Sequence, residues 1–331
     1  MRGIYSLFLI LFLILLAYLG IAVAGFHVLF GVVIPYAAFA VFVIGLVYRI
    51  VRWARSPVPF HITTTCGQQK ALTWIKPNNL ECPHNFFGVV GRMFLEVFFF
   101  RSLFRNTKTD LKEGKLVFGG DKWLWAAGLA FHYTFLLIIL RHLRFFLEPT
   151  PGFVVFLQDI DGLMQVGVPV LYMTDIIFLA AAGYLFLRRV IIPQVRYISM
   201  EGDYFPLFLL LAIGGTGVLM RYFAPFRVDI VAVKELAVGL FHFSPAVSPD
   251  IGAMFFIHLF LVSMLLLYFP FSKLVHLGGV FLSPTRNLTA NSRTKRHINP
   301  WNYPVEVHTY QEWEDEFRDV MKASGMPLEK E

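Results

Sequence analysis

Four histidines lie inside or at the edge of segments that are otherwise apolar. His132 and His142 bound the stretch HYTFLLIILRH, and His258 and His276 bound the stretch HLFLVSMLLLYFPFSKLVH. Imidazole nitrogens ligate transition metals and also exchange protons near neutral pH. Because ionisable side chains within a membrane are rare and usually functional, the four histidines predict either a metal-containing cofactor or a path for protons.

The elements that must position these histidines are membrane spans. The chain is 57% hydrophobic and 15% charged, and it contains 36 phenylalanines among 331 residues. This composition lies outside the range of soluble domains, and a spanning helix requires about 20 predominantly apolar residues. We therefore predict an all-α integral membrane protein, a bundle of six transmembrane helices. The predicted spans cover residues 4–24, 26–48, 123–147, 170–192, 204–223 and 251–277.

The first predicted span shares features with a signal peptide. An arginine precedes its apolar run, and the small residues AVA lie near its end. The apolar run is nevertheless longer than a signal core of about 7–15 residues. We therefore expect residues 1–25 to form a retained, additional transmembrane helix.

The distribution of positive charge predicts the topology of the chain. Twelve of its 29 lysines and arginines lie between Arg49 and Lys122, eight lie from Lys273 onward, and residues 148–170 contain none. Short basic loops remain on the cytoplasmic side of a membrane. We therefore predict a protein of the cytoplasmic membrane with the loop 49–122 and both termini inside. The net charge of +7 follows from this topology and does not indicate nucleic-acid binding.

This topology pairs the histidines across two helices. The third span runs outward and the sixth runs inward, so His132 and His276 lie toward the cytoplasm and His142 and His258 lie toward the outside. The separations of ten and eighteen residues correspond to rises of about 15 Å and 27 Å on straight helices. Pro270 is expected to kink the sixth span and absorb part of this difference. Each pair could ligate one haem iron, and the spacing alone leaves a proton or ion transporter equally open.

The sixth span, with FPFSKLVH and its two histidines, resembles the cytochrome b family of respiratory nitrate reductase gamma subunits. The third span, with FH and a second histidine ten residues later, resembles the corresponding helix of that family. The resemblance covers about residues 26–280 and implies a five-helix domain with two haem b groups, one held by His132 and His276 and one by His142 and His258. The chain contains no C-x-x-C-H motif for covalent haem attachment. The first helix and the loop 49–122 are additions to the family pattern.

Three further segments, TTCGQQKALTWIKPNNL, GRMFLEVFFFRSLFRNT and NPWNYPVEVHTYQEWEDEF, resemble a narrower family. This is the DsrM family, the haem-b membrane subunits of DsrMKJOP complexes in dissimilatory sulfur metabolism, to which cytochromes of heterodisulfide-reductase-like complexes are related. The resemblance implies exchange of electrons with menaquinone and a DsrK-like cytoplasmic iron–sulfur subunit as the partner. It also implies the DsrC trisulfide as the final acceptor. A structural anchor without haem or quinone is the remaining alternative.

Polar residues near the outer histidines are candidates for contact with the quinone and the haem. Asp175 lies a few residues inside the fourth span and is either a helix-start residue at interfacial water or a proton acceptor beside His142. The nitrate reductase family implies a quinone next to the outer haem, near a helix position where the family has a lysine in place of Asp175. Arg141 and Arg144 flank His142 and are expected either to reach the interface or to pair with haem propionates.

Two segments outside the spans are predicted to make contacts beyond the helical bundle. Residues 85–107 mix aromatic residues with three arginines and a glutamate, which predicts an interfacial helix whose cations meet anionic lipid or a docking site for another subunit. The tail, residues 281–331, is rich in aromatic and acidic residues and is expected to bind a partner. Thr309 and Glu312 have the spacing of a capping box and predict a helix that begins after Thr309.

The chain contains two cysteines, Cys66 and Cys82, both in the loop predicted to be cytoplasmic. A structural disulfide is not expected in that compartment. With His61 and His84 nearby the cysteines have the types of side chain that bind zinc, but their separation matches no familiar zinc pattern. We therefore interpret them as ordinary loop residues.

Overall fold

The computed structural model describes residues 3–58, 61–62, 67–162, 170–295 and 308–329, and these are mostly helical. The α-helices are α1 (Ile4–Ala22), α2 (Ile34–Ala54), α3 (Phe86–Phe99), α4 (Arg101–Phe104), α5 (Lys122–His142), α6 (Gly152–Asp161), α7 (Met173–Ile191), α8 (Pro193–Ile198), α9 (Glu201–Tyr222), α10 (Ile230–Phe241), α11 (Ala253–Tyr268), α12 (His276–Gly279) and α13 (Tyr310–Ala323). A π-helical turn, Leu29–Val33, precedes α2, and 3₁₀ turns are formed by Leu143–Phe145, Ala224–Phe226, Phe269–Phe271 and Lys273–Val275. Two strands, β1 (Thr107–Lys112) and β2 (Lys115–Gly120), complete the structure.

Among the described residues, five helical segments are long and apolar enough to cross a membrane: Ile4–Ala22, Leu29–Ala54, Lys122–Phe145, Glu201–Tyr222 and Ala253–Phe271. They coincide with five of the six predicted spans. The remaining one, the fourth predicted span at 170–192, is occupied by α7, whose 19 residues include Asp175, Arg188 and Arg189 near the two ends. The multi-pass membrane protein is therefore supported, and the count of six spans stays a prediction.

The spans pack around two apolar clusters and leave most of their outer surface exposed. The larger cluster joins α1, α9, α10 and α11 and includes the fully buried Leu209, Leu236, Phe256 and Leu261. The smaller cluster joins α5, α7 and α9 through residues such as Phe131, Phe178 and Ala182. Gly214 of α9 permits this second contact, because a Cβ atom there would lie 2.7 Å from the Phe178 ring. The two clusters hold α5 and α11, which carry three of the four histidines, in one bundle.

The predicted sixth span does not continue as one helix to His276. α11 ends at Tyr268, and two 3₁₀ turns follow on either side of Ser272, whose backbone is extended. Pro270 explains the break, because it lacks the N–H that a helix requires and its ring clashes with the preceding turn. Pro270 also packs against α2 at Gly45, where a Cβ atom would lie 2.7 Å from the proline ring. The helix therefore ends at Tyr268 instead of only kinking at Pro270. The expected rise of about 27 Å from His258 to His276 along one straight helix was wrong.

The expectation of an all-α protein missed a small β-hairpin in the loop between α4 and α5. β1 and β2 pair antiparallel from Thr107 opposite Gly120 to Lys112 opposite Lys115. The turn consists of Glu113 and Gly114, which both have positive φ angles, 52° and 77°. Two such residues match the right-handed twist of paired strands and favour a tight hairpin.

The capped helix predicted in the tail is confirmed. The Thr309 hydroxyl accepts a hydrogen bond from the backbone N–H of Glu312, and the Glu312 carboxylate accepts one from the backbone N–H of Thr309 at 2.8 Å. The helix α13 begins at the next residue, as a capping box requires. Trp301 and Tyr303, which also belong to the aromatic tail, lie outside the described residues.

Within the described part of the loop, the cysteine and histidine side chains do not gather. No group of three or more His, Cys, Asp and Glu residues that could hold a metal ion occurs among the residues described by the structure. The Cys82 thiol donates to the Gly67 carbonyl oxygen at 3.2 Å, and a ring nitrogen of His61 hydrogen-bonds to the Thr285 carbonyl oxygen at 3.0 Å. Cys66 lies outside the described residues. The first bond lies within the loop, and the second attaches the loop to the segment that follows α12.

Candidate functional site

His132 and His276 face each other where α5 passes the first residue of α12. Their ring centroids lie 5.9 Å apart, and the ring planes are inclined by 83°. Phe100 and Phe131 both contact His132 edge-on, with centroid distances of 5.0 Å and 5.1 Å. The structure therefore brings together two histidines that are 144 residues apart in the sequence, in largely apolar surroundings.

His142 and His258 form the second group. His142 is the last residue of α5, and His258 is the sixth residue of α11. The two imidazoles are close enough to interact electrostatically. Phe145 contacts the His142 ring with a centroid distance of 5.9 Å. Each of the two groups thus combines one histidine from α5 with one from the chain segment that begins at α11.

Hydrogen bonds determine which nitrogen of each imidazole is available. The Nδ1–H of His132 donates to the Gly128 carbonyl oxygen at 2.7 Å, and the Nδ1–H of His142 donates to the Ile138 carbonyl oxygen at 2.7 Å. His276 makes the same type of bond to the Lys273 carbonyl at 3.0 Å. A carbonyl oxygen can only accept, so Nδ1 carries the hydrogen in each ring. Among the described residues, none hydrogen-bonds to Nε2 of these three histidines, so its lone pair is free.

His258 has the same tautomer, but its Nδ1–H bonds to a side chain instead of a carbonyl group. Its Nδ1 lies 2.9 Å from the Thr216 hydroxyl, which itself donates to the carbonyl oxygens of Ala212 and Ile213, both at 2.9 Å. Since that hydroxyl has one hydrogen, its bond to a carbonyl leaves it to accept from His258 Nδ1–H. All four imidazoles therefore present an unprotonated Nε2.

This donor set fits haem iron. A histidine that binds a metal commonly donates its second ring nitrogen to a carbonyl or another acceptor, which fixes the tautomer and the ring orientation. Haem supplies four of the six iron ligands itself, so two imidazoles complete the set, and a cluster of three or more protein ligands is not required. His132 with His276 and His142 with His258 are the residues that would hold two such groups.

Arg141, which precedes His142, is held inside the protein by two carboxylates. Its two terminal nitrogens lie 3.2 Å from Asp161 and 2.7 Å from Asp175, and its guanidinium stacks over the Tyr172 ring at 4.0 Å. Only 9% of the side chain is exposed. The Arg141 side chain is therefore paired inside the protein. Its pairing with a haem propionate stays a prediction.

Asp175 uses both of its oxygens within this cluster. One accepts from Arg141, and the other accepts from the Tyr222 hydroxyl at 2.9 Å. The Tyr222 oxygen in turn accepts from the backbone N–H of Tyr172 at 3.0 Å. Asp175 also interacts electrostatically with His142. The carboxylate thus lies in the first turn of α7, is 14% exposed, and is ion-paired close to His142.

The sequence reading missed Asp161. This residue ends α6 and is buried, and its carboxylate accepts from both the backbone N–H and the hydroxyl of Thr174 at the start of α7, at 2.9 Å and 2.6 Å. No spacing rule connects it to Arg141, because the contact depends on how the loop after α5 folds back. Arg144, by contrast, has one side-chain hydrogen-bond partner among the described residues, Gln158 at 3.4 Å.

The helical spans and the paired histidines define a class, the polytopic membrane proteins that resemble cytochromes b. Comparison with protein families agrees with this class, since the pattern described as nitrate reductase gamma subunit matches residues 85–296. The chain belongs to this family. The matched region extends from α3 past α12 and includes all four histidines, whereas α1 and α2 lie outside it.

Individual relatives are found in two archaea. An Hdr-like menaquinol oxidoreductase cytochrome b-like subunit of Archaeoglobus fulgidus is 46% identical to this chain over 287 residues, which is 85% of each protein. A subunit of the same description from Archaeoglobus profundus is 42% identical over 285 residues, or 83% of each protein. The similarity to these two relatives therefore covers more of the chain than residues 85–296, which the family pattern matches.

The hydrogen bond between Thr216 and His258 generates a prediction. Thr216→Val removes the acceptor for His258 Nδ1, and we expect the haem at that site to be released about tenfold faster, because such supporting bonds contribute about 10-fold to 100-fold to metal affinity. Transfer of haem from the purified protein to apomyoglobin measures the rate.

Thr134 provides the matched control. Its hydroxyl makes the same type of bond within α5, to the Ala130 carbonyl oxygen at 2.7 Å, and it has no histidine partner among the described residues. Thr134→Val should therefore leave haem release unchanged. Equal release rates in the Thr216→Val variant and the unaltered protein would contradict a supporting role for Thr216.

Proposed function

We propose that this chain is a dihaem cytochrome b subunit that transfers electrons between menaquinol and a cytoplasmic iron–sulfur subunit. The observation that carries the proposal is the arrangement of four imidazoles in two groups, each with Nδ1 bonded and Nε2 free. Two haem b groups would supply one-electron chemistry between a two-electron quinol and the partner. The protein orients the ligands through their Nδ1 hydrogen bonds. The names of the archaeal relatives support the menaquinol substrate.

The orientation in the cytoplasmic membrane follows from the distribution of charge. With the basic loop and both termini inside, His132 and His276 lie nearer the cytoplasm, and His142 and His258 lie nearer the outside. The narrower resemblance of the loop and tail supports a complex of the DsrMKJOP type, with a DsrK-like iron–sulfur subunit and the DsrC trisulfide as acceptor. Heterodisulfide-reductase-like complexes of related composition are the alternative that the relatives' names also favour.

The first test of this proposal is haem content. Replacing His132, His142, His258 or His276 individually with alanine should remove one low-spin haem and retain the other, so that about half of the haem remains by pyridine haemochrome analysis. His242→Ala, at the end of α10, is the control and should retain both. Unaltered spectra in all four variants, or a colourless unaltered protein, would refute the dihaem cytochrome and favour a transporter.

The cluster around Arg141 is suited to accept a proton from quinol at the outer end of the bundle. One arginine pairs with the two carboxylates of Asp161 and Asp175, so the three groups carry one net negative charge when ionised. Protonation of Asp175 would neutralise that charge while Arg141 keeps its contact with Asp161. Quinol oxidation releases protons, and a nearby base accelerates such a step. We therefore place the quinone site beside His142 and Asp175.

Asp175→Asn tests this placement. The amide cannot accept the proton, and we expect quinol-driven haem reduction to slow at least about 100-fold, the typical contribution of a positioned base. Reduction by dithionite and haem content should not change, since neither requires proton transfer at this residue. Stopped-flow absorbance with a menaquinol analogue measures the rate.

Asp159→Asn is the matched control for this experiment. Asp159 lies on α6, two residues before Asp161, and it is exposed. Its replacement should leave the quinol-driven rate unchanged. A normal rate in the Asp175→Asn variant would exclude Asp175 from the quinol reaction.

The helix α13 provides a surface for the partner subunit. Tyr310, Trp313, Phe317 and Val320 are exposed and recur every three or four residues, so they form one apolar stripe. Trp313 packs against Tyr310 and Phe317 with centroid distances of 5.9 Å and 5.6 Å. Clustered, exposed aromatic residues of this kind dominate the binding energy of protein interfaces.

The double variant Trp313→Ala and Phe317→Ala should reduce co-purification of the iron–sulfur subunit at least about tenfold, because each hot-spot residue contributes about 2 kcal/mol. Haem content should remain intact. Glu316→Ala, an exposed change on the same helix, serves as the control. Full recovery of the partner with the double variant would rule out docking through this stripe.

A further inference from the structure

The helix α3 has its charges inside and its aromatic residues outside. Arg92 and Glu96 are buried, with Arg92 only 6% exposed, whereas Phe87 on the opposite side is 83% exposed. The expectation that the cations of this segment meet anionic lipid was therefore wrong for Arg92, because the helix turns it inward. The exposed residues of α3 are Phe86, Phe87, Val90, Phe94, Phe98 and Phe99. An apolar face of this size marks a contact with another molecule.

The inward charges are satisfied within the protein, and they fix the rotation of the helix. Arg92 lies 2.8 Å from the Glu81 carboxylate, which also pairs with Arg101 at 2.9 Å and with Arg105. Burial raises the pKa of Glu81, but the neighbouring arginines lower it more, so the net pKa lies below its usual value. Glu96 accepts from the Ser102 hydroxyl at 2.7 Å. Turning α3 by half a revolution would break this network.

The end of α3 lies alongside the interior of a membrane span. The Tyr133 hydroxyl donates to the Phe98 carbonyl oxygen at 2.9 Å, and the Trp125 indole N–H donates to the Phe99 carbonyl oxygen at 2.8 Å. Trp125 and Tyr133 are three and eleven residues beyond Lys122, the first residue of α5, which is about 5 Å and about 16 Å along the helix. The last carbonyl groups of a helix have no helical partner and cannot remain unbonded in lipid. α5 supplies the donors that such a position requires.

The chain reverses direction directly after this contact. Phe100 has a left-handed conformation, with φ of 51°, and separates α3 from the short helix α4. α4 then leads back toward the start of α5, where the Lys122 ammonium lies 3.4 Å from the centre of the Phe104 ring. With 14 residues, α3 is shorter than the roughly 20 residues of a complete span.

We propose that α3 and α4 form a re-entrant segment that enters the membrane at the Lys122 end of α5 and places the aromatic face of α3 against lipid acyl chains. That face continues the exposed surface of α5, to which Trp123, Tyr133 and Leu136 belong. The exposed residues of α3 include no charged side chain, whereas a protein interface has a polar rim. Lipid is therefore the occupant that the chemistry of this face fits.

Photo-cross-linking in native membranes tests the proposal on the assembled protein. The photoreactive residue p-benzoyl-phenylalanine, which reacts with nearby C–H bonds, replaces Phe87 or Phe94, one at a time. Leu136, on the exposed surface of α5, is the position expected to contact lipid, and Glu113, in the hairpin turn, is the position expected to contact water. Mass spectrometry after irradiation identifies each adduct.

We expect phospholipid adducts at positions 87 and 94 in yields close to that at position 136 and at least about tenfold above that at position 113, because acyl chains fill the hydrocarbon core. Cross-links to another protein at positions 87 and 94 would show that a subunit covers the face and would overturn the proposal. Absence of adducts at both positions, with lipid adducts present at position 136, would place α3 in water and overturn it equally. The result does not depend on haem or quinone.

Discussion

Hydrocarbon offers no hydrogen-bond partner, so every N–H group inside a membrane must find an acceptor in the protein. The four imidazoles of this chain show the consequence most clearly. Three donate Nδ1–H to a carbonyl oxygen of the preceding turn, and His258 uses the Thr216 hydroxyl. Satisfying one nitrogen in this way leaves the other with a free lone pair. The tautomer that haem ligation would require is thus set by hydrogen bonds within the protein.

The same constraint organises the charged residues at both ends of the bundle. Arg141 lies between Asp161 and Asp175, and Arg188 near the end of α7 pairs with Asp121 at 2.5 Å, directly before α5. Removing one member of a buried pair leaves an uncompensated charge and costs about 3–5 kcal/mol. These pairs therefore connect the loops to specific spans.

The sequence was sufficient for the features that depend on residue type and local spacing. Apolar length located the helices, and the spacing of Thr309 and Glu312 located the start of α13. The topology paired His132 with His276, which lie 5.9 Å apart. The apolar content of α3 could also be predicted from the sequence. Which face of α3 is buried could not be predicted, because Glu81 and its arginines meet only after the loop has folded. Asp161 remained undetected for the same reason, since its partner Arg141 is 20 residues away across a turn.

The break at Pro270 shows why the two histidine intervals need not match. A straight helix would separate His258 from His276 by about 27 Å, whereas ten residues on α5 give about 15 Å. Ending α11 at Tyr268 frees the following residues to change direction, and the close contact of Pro270 with Gly45 of α2 fixes that change. His276 then begins a separate helix, and its position depends on this packing and not on the α11 axis. A proline that would destabilise an ordinary span instead lets two helices of unequal spacing bring their histidines together.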